Sequence, residues 1–286
     1  MEVIGARHED IRQLEWFYEN FNEKNIPNML TYRMGLCNFI LSSEKINQMD
    51  NYLKAIRQDF KKIFTAIQNI DLIYLTYENR ESENLSDNDR ENVAIYIEYA
   101  ITKYRVIIEY TLKIIDMLIE YTGTNIKTNG KKFSTFEIYN MKLDYLKSLI
   151  SDERCKILND RWFQSIRKTR NSIIHNGATC LVFGNSGEKM FQIYDLEVEE
   201  LVRDEFYLHE GNCIYFEYFM TLNISYLVYF IDSVFSIILS KGGYSENNNF
   251  IYESIFNNAL SIVGDKQKCV MKWVKNIIDS YNKAIL

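Results

Sequence analysis

Between Val93 and Ile119 an apolar residue returns every three or four positions: Val93, Ile97, Ile101, Tyr104, Ile108, Leu112, Ile115 and Ile119. Glu98, Thr102, Arg105, Glu109, Asp116 and Glu120 fall on the other side. Two faces that hold the 3.6-residue period for about eight turns predict one long amphipathic helix, whose stripe must be buried against further helices. The chain has one proline, Pro27, in 286 residues, so long unkinked helices are open to it almost everywhere.

The flanking sequence repeats the pattern. Ile11, Leu14, Tyr18 and Phe21 predict a helix over 8–24, Pro27 breaks it, and a second segment covers 28–41. Met49, Leu53, Ile56, Phe60, Ile63, Ile67 and Ile70 predict a helix over 46–77. The polar run from Asn79 to Asn92 reads as an exposed loop and a boundary, followed by the long helix over 90–121. Phe136 to Ile150 predicts a shorter helix with Ile138, Met141, Tyr145 and Leu149 on one side. The next helix runs from Asp152 through Ile157, Trp162, Ile166 and Ile173, and stops at Asn176-Gly177, residues that tolerate the left-handed conformation. Two short apolar runs around Gly184-Asn185-Ser186-Gly187 predict a hairpin over 179–194. A long apolar helix over 210–240 and an amphipathic tail over 265–284 complete the pattern, the tail carrying Val270, Trp273, Val274, Ile277 and Tyr281 on one stripe. The expected fold is all-α: a multi-helix bundle of about seven to nine helices with a small β-hairpin insertion. Its regions are an N-terminal helical part (1–80), a central helical domain (90–240) and a C-terminal tail (245–286).

Composition narrows the function classes. A content of 47% hydrophobic and 25% charged residues is that of a globular chain. The net charge of −6 gives no global nucleic-acid footprint, so any contact with RNA has to come from a local basic patch. Cys37, Cys155, Cys180, Cys213 and Cys269 are far apart and odd in number, which fits free thiols in a reducing cytosol. The start Met1-Glu2-Val3-Ile4-Gly5 lacks the basic and apolar parts of a signal peptide. Tyr218–Leu239 is the most lipid-like stretch, but Asn223 and Asp232 interrupt it, so a buried helix is expected there rather than a membrane span. A cytoplasmic protein follows as the expectation. No phosphate-binding loop, dinucleotide glycine fingerprint or HExxH pair occurs, and with three histidines (His8, His175, His209) a multi-histidine metal site is not expected. No cofactor is expected either.

His8 and His209 read as surface or capping residues, while His175 lies in the basic string Arg167-Lys168-Thr169-Arg170-Asn171-Ser172-Ile173-Ile174-His175. Arg167, Asn171 and His175 are four apart and share a helix face. Arg170 lies about 140° round from His175, within reach of a long side chain. Spacing alone leaves two readings open: a solvated basic helix end capped by a histidine, or a site for phosphodiester chemistry. In the second, the imidazole moves a proton and the guanidinium holds the phosphate through paired hydrogen bonds. Asn171 then orients the histidine or holds substrate, and no metal is needed.

Arg170-Asn171-Ser172-Ile173-Ile174-His175 resembles the Arg-x4-6-His motif of the HEPN superfamily (higher eukaryotes and prokaryotes nucleotide-binding), in the form with Asn directly after Arg. The resemblance covers about residues 90–240 and implies an all-helical bundle, usually dimeric, in which many members are metal-independent ribonucleases. These include toxins of toxin–antitoxin pairs and phage-defence proteins. It implies catalytic roles for Arg170 and His175, with Asn171 in support; Arg167 joins as a supporting residue from its place on the same basic helix face. It also implies a polar or acidic partner on a preceding helix, for which Glu98, Arg105 and Glu109 are the candidates by position. RNA, a second copy of the chain and an antitoxin or other protein are the partners this implies. A non-catalytic RNA-binding or protein-interaction module of the same fold is the alternative.

Overall fold

The computed structural model describes residues 43–77, 85–121, 135–151, 153–158, 161–185, 188–193, 208–209, 213–241, 275–276 and 278–279. The helices are α1 (Ser43–Leu75), α2 (Asp87–Tyr121), α3 (Thr135–Ser148), α4 (Arg161–His175) and α5 (Phe216–Lys241), with a 3-10 turn at Glu153–Lys156. The strands are β1 (Cys180–Asn185), β2 (Glu188–Ile193), β3 (Leu208–His209) and β4 (Cys213–Tyr215).

The two longest helices form an antiparallel pair. Tyr77 meets Asp89, Lys103 lies 3.6 Å from Asp59, and the rings of Tyr52 and Tyr110 stack at 5.7 Å. Partner numbers thus rise along α2 as they fall along α1. Ser86 caps the start of α2, its hydroxyl accepting the Asp89 amide at 3.2 Å. Its own amide donates to the Tyr77 hydroxyl at 3.2 Å. This cap starts α2 at Asp87, so residues 87–92 of the polar run expected as a loop open the helix instead, and 79–84 lie outside the described residues.

Both predicted stripes face inward. Met49, Leu53, Ile56, Phe60, Ile63, Ile67 and Ile70 of α1 are buried, and so are Val93, Ile97, Ile101, Tyr104, Ile108, Leu112 and Ile115 of α2. Each such side chain contributes about 1.5–3 kcal/mol when fully buried. The stripes belong to one continuous core that also takes in Phe163 and Ile166 of α4, Phe191 and Ile193 of β2, and most of α5. α5 is buried nearly all round, from Phe219 to Val234. Its Asn223 stays inside because its side-chain amide donates to the Phe219 carbonyl at 2.8 Å, and the Asn223 backbone carbonyl accepts the Tyr104 hydroxyl at 2.7 Å. Among the described residues no helix is long and apolar enough to cross a membrane.

The predicted hairpin is present as β1 and β2, paired from Cys180↔Ile193 to Asn185↔Glu188. It is part of a larger unit than expected, a four-stranded antiparallel sheet in the order β1-β2-β4-β3. Its growth corrects the expected helix over 210–240: Ile214 and Tyr215 pair with Phe191 and Met190 of β2, and Cys213 pairs with His209 of β3, so the helix starts at Phe216. Pairing with an open strand edge overrides local helix preference there. His209, expected near a helix start, lies in β3.

Two further boundaries differ. The helix expected from Asp152 is a 3-10 turn followed by α4 from Arg161. Ile157 and Leu158 bury themselves outside it, and the Ile157 carbonyl accepts the Trp162 indole at 3.0 Å. In α3 the buried side chains are Tyr139, Leu143 and Leu146, with Met141, Tyr145 and Leu149 only half-buried. Either set satisfies helical spacing. The ring contacts of Tyr139 with Phe163 (5.9 Å) and Phe230 (6.4 Å) decide which one turns inward. The helices expected over 8–24 and 28–41 lie outside the described residues, as does the stripe expected in the tail. Of the tail, 275–276 and 278–279 are helical and Ile278 joins the core.

Candidate functional site

α4 carries Phe163, Ile166 and Thr169 into the core, the last only 1% exposed. This fixes the rotation of the helix: Arg170 stays on the Phe163 side, toward α2, while Asn171 and His175 lie farther round. Arg170 and Asn171 are half-buried, and His175, the last helical residue, is exposed. The helix ends as expected. The Ser172 carbonyl accepts the amides of both Asn176 (3.0 Å) and Ala178 (3.1 Å), and Gly177 takes φ +68° between them.

Nη1 of Arg170 lies 3.2 Å from Oδ1 of Asn171 and 3.3 Å from Nε2 of His175. A guanidinium only donates, so the second contact is a hydrogen bond only in the tautomer that leaves a lone pair on Nε2. The imidazole is held with Nε2 against a fixed positive charge. Nε of Arg170 is buried and makes no hydrogen bond among the described residues. A buried guanidinium N–H without an acceptor is a costly arrangement.

α2 supplies the opposite wall. Arg105 lies over the ring of Phe163, its Cζ 5.0 Å from the centroid. Its Nε donates to Glu109 Oε1 at 3.0 Å. Burial lowers the Arg105 pKa from its ordinary value; Glu109 opposes this, and the charges of Arg167 and Arg170 add to it. Arg105 stays charged all the same. Phe163, Arg167 and Arg170 follow one another at four and three residues, which puts them on the side of α4 that Arg105 faces. Three guanidinium groups thus converge on the α2–α4 seam.

The seven residues singled out from the sequence fall into three groups. Arg170 touches both Asn171 and His175. Arg105, Arg167 and Glu109 form the charged wall beside them. Glu98 is elsewhere: its Oε1 accepts the backbone amide of Cys180 at 3.0 Å, past the end of α4. Burial pushes the Cys180 thiol well up, and the Glu98 charge adds to this. Cys155, Cys180 and Cys213 are free thiols. Among the described residues no group of three or more His, Cys, Asp or Glu side chains is placed to hold a metal ion.

A second charged cluster was not anticipated. Lys189 of β2 is 8% exposed and pairs with Asp71 of α1 at 2.9 Å and Glu217 of α5 at 2.8 Å. Its ammonium also lies 5.7 Å from the centre of the Tyr74 ring. The sequence did carry a signal: Lys189, Phe191 and Ile193 alternate, so the lysine shares the inward face of its strand. The Phe163 ring under Arg105 was also missed, although its spacing from Arg167 and Arg170 could have shown it.

No model of a known protein family matches this chain, and neither a curated protein nor a solved structure matches it.

Proposed function

We propose that this chain is a metal-independent endoribonuclease of HEPN type that works as a homodimer. The observation that carries the reading is the contact of Arg170 Nη1 with Nε2 of His175 at 3.3 Å. In the proposed reaction His175 takes the proton of a ribose 2′-OH, and the 2′ oxygen attacks the adjacent phosphorus. The bond from phosphorus to the 5′ oxygen breaks, and that oxygen leaves with a proton. The products are a 2′,3′-cyclic phosphate and a 5′-hydroxyl. Arg170 turns from Nε2 to the phosphate, where its paired N–H groups, including the Nε that lacks an acceptor, stabilise the growing charge. Arg167 and Arg105 add positive potential in a chain whose net charge is −6. RNA supplies its own nucleophile, so the protein provides a base, an acid and charge stabilisation.

A dimer supplies a second His175, so that one imidazole serves as base and the other as acid. A small protein antitoxin, or a role in phage defence, fits such an activity.

The test incubates wild type, Arg170→Ala and His175→Ala with a pool of structured and unstructured RNAs and identifies the product ends. The expected result is cyclic-phosphate ends from wild type alone, persisting in excess EDTA and abolished by 2′-deoxyribose at the target. Equal cleavage by His175→Ala overturns the assignment. RNA binding that survives in His175→Ala, with no cleavage by any sample, favours a non-catalytic RNA-binding module. Sedimentation at micromolar concentration tests the dimer, and a stable monomer removes the two-histidine scheme.

A further inference from the structure

Glu98 stands on α2 where an acidic partner for the motif was expected, yet the contact it makes is with backbone. Beyond His175 the chain is held by alternate amides. Asn176 and Ala178 donate to the Ser172 carbonyl at 3.0 and 3.1 Å, and Cys180 donates to Glu98 Oε1 at 3.0 Å. The first two bonds are internal to the end of α4, whereas the third ties that end to another helix. Cys180 is also the first residue of β1, which lies at the edge of the sheet with β2 as its strand neighbour. A carboxylate accepting a backbone N–H makes one of the stronger hydrogen bonds available there.

What happens at the exit of α4 bears on His175. The contact with Arg170 spans five residues and about 140° of rotation, so it exists only while the last turn is wound. Last turns have unsatisfied carbonyls and fray readily. We propose that Glu98 is a positioning residue for the ribonuclease reaction: by holding the Cys180 amide it keeps the last turn of α4 wound and His175 against Arg170. Its carboxylate takes no part in proton transfer. This rests on the ribonuclease reading above, and the test separates the two.

The experiment compares wild type, Glu98→Ala and Glu98→Gln by three measurements: hydrogen exchange of the Cys180 amide, ¹⁵N chemical shifts of the His175 ring, and single-turnover RNA cleavage across pH. In Glu98→Ala the Cys180 amide should exchange at least ~10-fold faster, as expected for a lost charge-assisted bond. The His175 ring shifts should move away from their wild-type values, and the rate should fall roughly 10- to 100-fold from misplacement of the imidazole. Glutamine keeps an acceptor oxygen, so Glu98→Gln should restore all three and leave the shape of the pH–rate profile unchanged. Loss of cleavage in Glu98→Gln with the Cys180 amide still protected would mean that the carboxylate acts in the chemistry, and the proposal fails. It fails equally if Glu98→Ala loosens Cys180 while the His175 signals and the rate stay as in wild type. If wild type itself cuts no RNA, the ribonuclease reading is what falls, and the His175 ring signals still decide whether Glu98 positions that residue.

Discussion

Arg170 reaches His175 across α4, its Nη1 3.3 Å from Nε2, although the two residues lie on different sides of the helix. The same nitrogen is 3.2 Å from Oδ1 of Asn171, so the amide anchors the guanidinium while the imidazole receives it. An i, i+1 pair does not normally share a helix face. Here Asn171 meets Arg170 because the arginine side chain bends over it on the way to His175.

That bend predicts a graded series. Arg170→Ala removes the phosphate ligand and should lower single-turnover cleavage by at least ~10²-fold. Asn171→Ala leaves the guanidinium in place but unanchored and should cost about tenfold, the scale of one hydrogen bond. Arg170→Lys should not recover activity, because an ammonium lacks the planar fork that offers paired donors to one phosphate. Equal rates for Asn171→Ala and wild type would remove the anchoring role.

Gly177 and Gly184, both with positive φ, should respond differently to alanine. Gly177 has φ +68° with open space where a Cβ would stand, so Gly177→Ala pays only the left-handed penalty of about 1–2 kcal/mol. At Gly184, with φ +85°, a Cβ would stand 1.9 Å from the Glu188 carbonyl oxygen. Gly184→Ala therefore forces the β1–β2 hairpin apart and should cost clearly more in urea unfolding. A smaller loss at Gly184 than at Gly177 would contradict this account.

How much was legible in the sequence follows from which forces are local. The stripes of α1 and α2 could be read because seven residues in each repeat one period, and a face that wide has one way to be buried. The stop at Asn176-Gly177 could be read because φ +68° is a local demand. The inward set of α3 could not, because Tyr139 and Met141 both fit helical spacing and the choice rests on Phe163 and Phe230, distant in sequence. Strand β4 was hidden for the same reason, since its residues extend only to meet β2. At the site, the string from Arg167 to His175 was visible as a string. That Arg170 crosses to His175, and that Glu98 turns to the Cys180 amide, depends on how α2, α4 and β1 stack.

Lys189 should be the most sensitive charged residue in the sheet. It joins β2 to α1 through Asp71 and to α5 through Glu217. Lys189→Met leaves two carboxylates facing each other without their cation, which should cost about 3–5 kcal/mol in urea unfolding. Adding Asp71→Asn and Glu217→Gln to the same chain removes that repulsion and should recover most of the loss. A triple variant no more stable than Lys189→Met would show that the lysine acts through packing rather than charge.

The same region predicts how stability changes with pH. Burial holds the Cys180 thiol well above its ordinary range and does the same to the Tyr74 hydroxyl, which donates to the Phe183 carbonyl at 3.2 Å. For Lys189, burial pulls the pKa down, but Glu217 and then Asp71 outweigh it and leave it raised. All three groups bind their proton more tightly folded than unfolded. Each contribution to stability is therefore full below the unfolded pKa and is lost as pH rises toward the folded one. The unfolded values are about 8.5 for cysteine, 10 for tyrosine and 10.4 for lysine. The urea midpoint should thus begin to fall near pH 8.5 and drop more steeply above about 10. Cys180→Ala should delay the first part of the fall, and Tyr74→Phe should flatten the second while lowering the midpoint at neutral pH through the lost hydrogen bond. A midpoint that stays level to pH 11 would mean that these groups ionise in the folded chain as easily as in the unfolded one, and that their burial does not couple to the proton.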